Sequence, residues 1–510
     1  MMSGRITHQA IVVQAAYGLR TSIHGARLEV VVLAGIVGLG FFFRVYNLAQ
    51  ESLWLDEAHS LTIARMSLDS QLAWLANSDH PPLYFLLLHF WQRFGASEFW
   101  LRLPSAIIGT MGIFAIYALA RTLFDGVSAL MAALLLAISS VHVWYSQEVR
   151  SYVLVSLWTI VSSYFLVVSV RQGRTVNWVC YAITMLAGLY THYFFVLLIP
   201  AHLAFLAYSW LNDAEAAQAI RTWGAVTAAV FGAFVPLLVV ALPFLLSSGG
   251  AQPGDLASPP SAKLILVTLW YFGVGGAMED PVMRYASFGV FLASVGSALL
   301  AARSRRDPCA SPSIFSGVAL SLSYIAVPIL TLFVISQVRS VYILRYLTPF
   351  LPGYLLLLAV GINRLPRLDL KVIAIVAVVL LSANSLAFDY TNQQKDDWRS
   401  VAAYVTANSR SGDVVVFNPA WNYQPFDYYA ENEVDVYKDL PGVITAQNVE
   451  QEVSRAAKDR KRIWLIRTTP ASDSNGEITR YLDAHFKLES AARFRGIERV
   501  ALYSAPPEER

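Results

Sequence analysis

The sequence predicts a multi-pass α-helical membrane protein with a small α/β domain at its C-terminal end. Three observations carry that reading. Hydrophobic residues make up 56% of the 510 residues and charged residues only 14%, against about 25% charged in an ordinary soluble domain. The charges are unevenly spread. Residues 1–389 hold 39 of the 73 Asp, Glu, Lys and Arg residues, and residues 390–510 hold the other 34. Apolar runs of about 20 residues recur through the first part, the length a helix needs to cross about 30 Å of hydrocarbon. This excludes a single soluble globule and a disordered chain. A net charge of +3 gives no basis for nucleic-acid binding. Cys180 lies in an apolar run and Cys309 in a short basic loop, which argues against a structural disulfide.

The runs fall near 29–47, 98–123, 126–145, 150–170, 177–191, 194–210, 221–246, 284–302, 314–336, 347–363 and 370–389, about eleven spans. The stretch 264–277 is too short to cross and reads as interfacial or re-entrant. Residues 1–28 do not read as a cleaved signal peptide, because their apolar run is short and holds Gln14. They are expected on the cytoplasmic side. Lys and Arg then collect in the cytoplasmic loops, among them Arg121, Arg171, Arg174, Arg221, Arg303, Arg305, Arg306, Arg364 and Arg367. An odd number of spans puts residues 390–510 outside. The tail alternates in type, with helices near 396–409, 443–459 and 476–486 and strands at 413–418, 462–467 and 499–504. That pattern suggests a small α/β domain. It has no Gly-rich phosphate loop.

The chemistry-bearing residues sit in the outer loops. The first, 48–97, begins with the adjacent acids Asp56 and Glu57. Near a membrane surface such a pair is partly desolvated, so one carboxylate can act as a general base while the other binds a hydroxyl or a metal. The loop continues Asp79-His80-Pro81-Pro82. The double proline fits a helix start, which holds His80 and Asp79 at headgroup depth. Glu148 and Arg150 lie at another span boundary, where charge is costly unless paired or functional. His192 lies at an outer turn. Arg345 and Tyr346 precede a late span, where a lipid phosphate would lie, and Arg102 is another cation on the sparsely basic outer side. Arg44, near the outer end of the first span, reads as a snorkelling side chain. Each feature alone also fits an ordinary interfacial loop. Together they set acids, histidines and arginines at one depth on one side of the membrane.

WLDEAHSL at 54–61, DHPPLYFLLLHFW at 79–91, LRLPSAIIG at 101–109 and YSQEVRSY at 145–152 resemble the bacterial family-39-type glycosyltransferases. These are related to the protein O-mannosyltransferases and, more distantly, to the lipid A aminoarabinose transferases. The resemblance covers most of residues 29–389, and KDDWRSVAAYV at 395–405 resembles the small outer domain of many bacterial members. It implies a GT-C fold in the bacterial cytoplasmic membrane and an enzyme that moves a sugar from a polyprenyl-phosphate carrier to an extracytoplasmic lipid, glycan or protein. It also implies roles. Asp56 resembles the catalytic aspartate and Glu57 its partner. His80, Arg345, Arg150 and Tyr346 are expected near the donor phosphate, and Glu148, His192, Arg102 and Asp79 near substrate. No cofactor is certain, and a divalent metal could bridge Glu57 and His80. The large loop domain of the protein mannosyltransferases is missing. The alternative from another class is a transporter or flippase for a lipid-linked sugar. It is disfavoured because the unusual charges cluster at the outer edge rather than at mid-bilayer.

Overall fold

A computed structural model describes residues 27–212, 216–247, 259–303, 313–431, 433–468 and 475–505. Most of the expected N-terminal cytoplasmic segment and the basic loop holding Arg305 and Arg306 lie outside the described residues. Among those described, nine helices are long and apolar enough to cross a membrane: Arg27–Val45, Glu98–Leu123, Tyr152–Gln172, Tyr193–Leu211, Ala217–Phe244, Pro281–Arg303, Phe315–Ile335, Leu344–Asn363 and Leu368–Thr391. A bent pair, Gly126–Ile138 with Ser140–Ser146, and the short apolar helix Thr175–Leu189 fall on the two remaining runs. The outer faces of the bundle are bare hydrocarbon. Helix Leu368–Thr391 alone exposes Val372, Ile373, Val376, Val379 and Leu380. In water such faces would associate, whereas lipid covers them at no cost. The chain is a membrane protein.

The bend between Gly126–Ile138 and Ser140–Ser146 is 58°, and it has an identifiable cause. A straight helix would spend the carbonyls of Leu136 and Ala137 on N–H groups four residues on. Here Arg44 takes them, with Nη2 donating to Leu136 O at 3.0 Å and Nη1 to Ala137 O at 3.2 Å and Gly40 O at 2.7 Å. Its Nη2 also lies 2.8 Å from His142 Nδ1. Arg44 is fully buried, so the snorkelling expectation is corrected. The broken helix offers carbonyls nearby, and a guanidinium bonded to them has no need to reach the interface. Helix Glu98–Leu123 approaches the same point closely at Gly109, where a Cβ would sit 2.2 Å from Ser146 Oγ and 2.9 Å from Arg44 Nε.

The loop 48–97 is built of three short helices, Leu55–Arg65, Leu68–Ala76 and Leu83–Trp91. The tail forms a five-stranded sheet. Its strands are β1 (Asp413–Asn418), β2 (Asp435–Tyr437), β3 (Arg462–Thr468), β4 (Lys487–Phe494) and β5 (Ile497–Ser504), in the order β2-β1-β3-β5-β4. β2, β1 and β3 are parallel, and β3, β5 and β4 are antiparallel. Both faces of β1 are covered. Val415 and Phe417 pack with Trp398 and Trp464 on one side, and Val414 and Val416 with Leu465 and Leu482 on the other. That explains its unbroken apolar run. The sequence reading missed β2, β4 and the helix Tyr423–Ala430. β4 is an edge strand of charged and small residues, mostly exposed, and carries no apolar alternation to find.

The tail docks on residues 51–98 through several contacts. Ser52 Oγ donates to Asp396 O at 2.6 Å, Leu53 N–H to Tyr429 Oη at 2.7 Å and Gln394 N–H to Glu51 Oε1 at 2.8 Å, while Arg399 pairs with Glu98 at 2.6 Å.

Candidate active site

The two adjacent acids stand in the first turn of helix Leu55–Arg65, where the positive end of the helix favours carboxylates. Neighbours on a helix point about 100° apart, so the pair divides. Glu57 turns into the protein and is fully buried. Arg102 grips it with two bonds, Nε to Oε1 at 2.7 Å and Nη2 to Oε2 at 2.6 Å. Val149 N–H donates to Oε1 and Lys395 Nζ to Oε2, each at 3.0 Å. Burial pushes the Glu57 carboxyl up, but Arg102 and Lys395 outweigh it and bring it down to about 2.

Asp56 turns towards a more open cluster. Arg345 Nη1 lies 3.4 Å from its Oδ2 and Arg150 Nε 4.0 Å, yet that oxygen accepts no hydrogen bond. Burial raises this carboxyl too, and Arg150 and Arg345 together hold it below the usual carboxylate range. Arg150 also donates to Ser60 Oγ at 3.2 Å and lies 3.5 Å from His80 Nε2. His80 Nδ1 in turn lies 2.5 Å from Asp79 Oδ1. The Pro-Pro segment is fixed from behind, where Leu83 N–H donates to Tyr190 O at 2.9 Å. That bond brings the loop holding His192 alongside. The His192 ring centre is 5.5 Å from that of Tyr346, and Tyr346 stacks on Phe194 at 4.7 Å.

Glu148 is the odd member. It is 1% exposed and neither carboxylate oxygen has a hydrogen-bond partner. Burial, reinforced by Glu57 and Asp56 and opposed by Lys395 and Arg150, pushes it up to about 7. Its backbone is held by Ser105 Oγ donating to Glu148 O at 2.6 Å. Gln147 ties the same segment to the first span through the carbonyls of Phe43, Arg44 and Tyr46.

The structure thus gathers Asp56, His80, Asp79, Glu148, Arg150, His192, Arg345 and Tyr346 from five separate segments. Two expectations need correction. Arg102 offers nothing to a substrate. Besides Glu57, its donors are spent on the carbonyls of Leu48 and Glu51 at 2.9 Å and Ser52 at 3.1 Å, so it is a rivet between the first loop and helix Glu98–Leu123. Nor is Glu57 placed to share a metal with His80, since both its oxygens are taken by cations and an N–H group. Among the described residues, no group of three or more His, Cys, Asp or Glu could hold a metal ion. Sequence reasoning missed Lys395 and His59. His59 Nδ1 lies 3.1 Å from Gln424 Oε1 of the tail, and burial, with His80 and Arg150, lowers its imidazole to about 4. The missed signal was position. Lys395 follows the last span at once and so starts at membrane depth, although it belongs to the charged tail.

Residues 79–241 match a family described as dolichyl-phosphate-mannose-protein mannosyltransferase. No curated protein matches the chain. ArnT from Cupriavidus metallidurans in the apo state is similar over 95% of this chain and 100% of its own, at 12% identity and a TM-score of 0.60. Its complex with undecaprenyl phosphate gives 94%, 98%, 12% and 0.58 in the same order. The apo oligosaccharyltransferase of Archaeoglobus fulgidus is similar over 86% of this chain and 69% of its own, at 12% identity and 0.55. The fold is of the GT-C type. The resemblance read from the motifs to polyprenyl-phosphate-dependent membrane glycosyltransferases stands on both the family match and the fold.

Proposed function

We propose that the protein is an inverting glycosyltransferase that moves a sugar from a polyprenyl-phosphate carrier to a hydroxyl of an extracytoplasmic acceptor. The observation that carries this reading is the Asp56 cluster. A carboxylate with an unused oxygen faces two arginines that have donors to spare, since neither Arg150 Nε nor Arg345 Nε has a hydrogen-bond partner. The undecaprenyl phosphate bound by the ArnT neighbour and the family match over residues 79–241 support it.

In the reaction the acceptor oxygen attacks the anomeric carbon from the face opposite the phosphate, and the bond from that carbon to the phosphate oxygen breaks. The electron pair leaves with polyprenyl phosphate, which gains a second negative charge, and the acceptor proton passes to Asp56. Arg345 and Arg150 have the planar, forked donors that suit a phosphate whose charge is growing. The same two arginines depress the basicity of Asp56 in the unliganded site. A donor phosphate that draws them off leaves Asp56 a stronger base only once the donor is bound. His80 and Tyr346 border the phosphate, and Glu148, Asp79 and His192 border the sugar and acceptor. The loop 48–97 and the tail face the outside of the cytoplasmic membrane, and a cysteine at Ser70 would be labelled by an impermeant reagent in intact cells.

The test is transfer from polyprenyl-phosphate sugars by the purified protein in lipid nanodiscs, wild type against Asp56→Asn. The variant should retain the fold and bind undecaprenyl phosphate but lose transfer. Full transfer by Asp56→Asn overturns the mechanism.

A further inference from the structure

The charged tail sends one side chain into the membrane site. Lys395 is 7% exposed, its Nζ is 3.0 Å from Glu57 Oε2, and it lies 5.6 Å from the centre of the Trp144 ring. A lysine is rarely buried without a partner, and the backbone around this one is built to hold it there. Arg495, in the turn between β4 and β5, donates from Nε to Lys395 O at 3.0 Å. Asp397 N–H donates to Arg495 O at 2.9 Å. Gly496, in the same turn, has φ 76°, and a Cβ there would fall 1.9 Å from Asp396 Oδ1, so only glycine lets the turn close on this segment. The sheet thus grips the lysine from one side while Ser52 and Glu51 fix its neighbours from the other.

The charges of the site make the lysine's place meaningful. Its ionised carboxyl groups are Asp56, Glu57 and Asp79, while burial raises Glu148 to about 7 and leaves it only partly charged. Its permanent cations are Arg102, Arg150 and Arg345 from the membrane part and Lys395 from the tail. The three arginines already match the three ionised acids, so the tail's lysine leaves the site with a net positive charge to meet an incoming phosphate.

We propose that Lys395 is a positioning residue that makes the C-terminal domain a working part of the site. It tips the balance of charge toward the cations and secures Glu57, and through Glu57 the motif helix and the Val149 N–H, so that Arg150 and Arg345 remain available to a lipid phosphate. The inference rests on the reading of the Asp56 cluster as a phosphate site.

The experiment measures undecaprenyl phosphate binding to the full-length protein in detergent by tryptophan fluorescence, together with the melting temperature of the unliganded protein. Lys395→Met keeps the apolar stem against Trp144 and should weaken binding by roughly tenfold, the size of a lost charge-assisted interaction, while lowering melting no more than Tyr429→Phe does, because Arg102 still pairs with Glu57. Lys395→Arg should restore binding to within about threefold, because the charge is what matters. Tyr429→Phe loosens the docking of the tail without touching the cluster, and should lower melting while leaving affinity unchanged. Arg345→Ala serves as the control for the site itself. If Arg345→Ala loses affinity and Lys395→Met does not, the role of Lys395 is overturned. So too if affinity falls only in step with melting across the three tail variants. If Arg345→Ala binds normally, the phosphate site fails and this inference with it.

Discussion

Asp56 and Glu57 are neighbours in sequence and opposites in environment. Glu57 is fully buried with every lone pair committed to Arg102, Lys395 or Val149. Asp56 is partly exposed, faces Arg345 and Arg150 at looser distances, and keeps an oxygen free of hydrogen bonds. A closed, saturated ion pair holds parts together, whereas an open one can exchange its partners for a ligand. The same two residue types therefore serve different purposes according to how completely each is satisfied. Exchanging each for its amide should separate them.

The largest effect is expected from Asp56→Asn. It keeps the shape and removes the proton acceptor, so turnover should fall by about 10²–10⁴-fold, the usual worth of a general base. The melting temperature should move little, because no hydrogen bond is lost from Oδ2. Glu57→Gln should do the reverse. It leaves the buried Arg102 and Lys395 without their countercharge, and breaking a buried pair from one side costs about 3–5 kcal/mol. Thermal denaturation of the two variants side by side decides this. Equal stability of the two amides would erase the distinction between them.

Much of this site was legible in the sequence because it is local. Asp56-Glu57, His80-Pro81-Pro82, Glu148-x-Arg150 and Arg345-Tyr346 each occupy one short segment at a span boundary, where charge is conspicuous against hydrocarbon. The spans were legible for the same reason. What was hidden depends on pairing between distant segments. Arg102 looked available on the outer side, and only the fold reveals that its donors are consumed by Glu57 and three carbonyls. Arg44 looked like an interfacial anchor, since nothing in the sequence announces that the helix 92 residues later breaks and frees two carbonyls. Lys395 was hidden by composition, as one cation among many in a charged tail. β4 was missed because an exposed edge strand needs no apolar alternation.

A smaller effect is expected on the open side of the comparison. Arg345→Ala removes one charge-assisted contact, worth about 1.5–3 kcal/mol, so donor affinity should fall roughly tenfold or more. Arg345→Lys should recover only part, since an ammonium cannot form the guanidinium fork. Titration with undecaprenyl phosphate reads both. Equal affinity of the alanine variant and wild type would overturn the reading of the Asp56 cluster as the phosphate site.

The smallest effect concerns Glu148, which fits neither side of the comparison. It is as buried as Glu57, yet like Asp56 it has oxygens without hydrogen bonds. Facing it are Lys395 and Arg150, which favour its charge, and Glu57 and Asp56, which oppose it, and burial dominates all four in bringing it up to about 7. Its carboxyl in the unfolded chain has a pKa of about 4.3. Between those two values the folded protein holds a proton that the unfolded chain has lost, so the contribution of Glu148 to stability falls as pH rises through that window. Above about pH 7 both states have lost the proton, and the loss is complete. Glu148→Gln cannot ionise and should lack this decline. Each pH unit between the folded and unfolded values is worth about 1.4 kcal/mol, and water drawn in on ionisation returns part of it. The stability of the variant relative to wild type should therefore rise by on the order of 1 kcal/mol between about pH 5 and about pH 8. Taking the difference between the two proteins cancels the opposing titration of His59, whose lowered pKa makes stability rise with pH over much of the same range. Melting curves of both proteins across the window measure the slope. Parallel curves would mean that Glu148 is already ionised at the lower pH, and that a cation or donor near it compensates its burial as fully as Arg102 compensates that of Glu57.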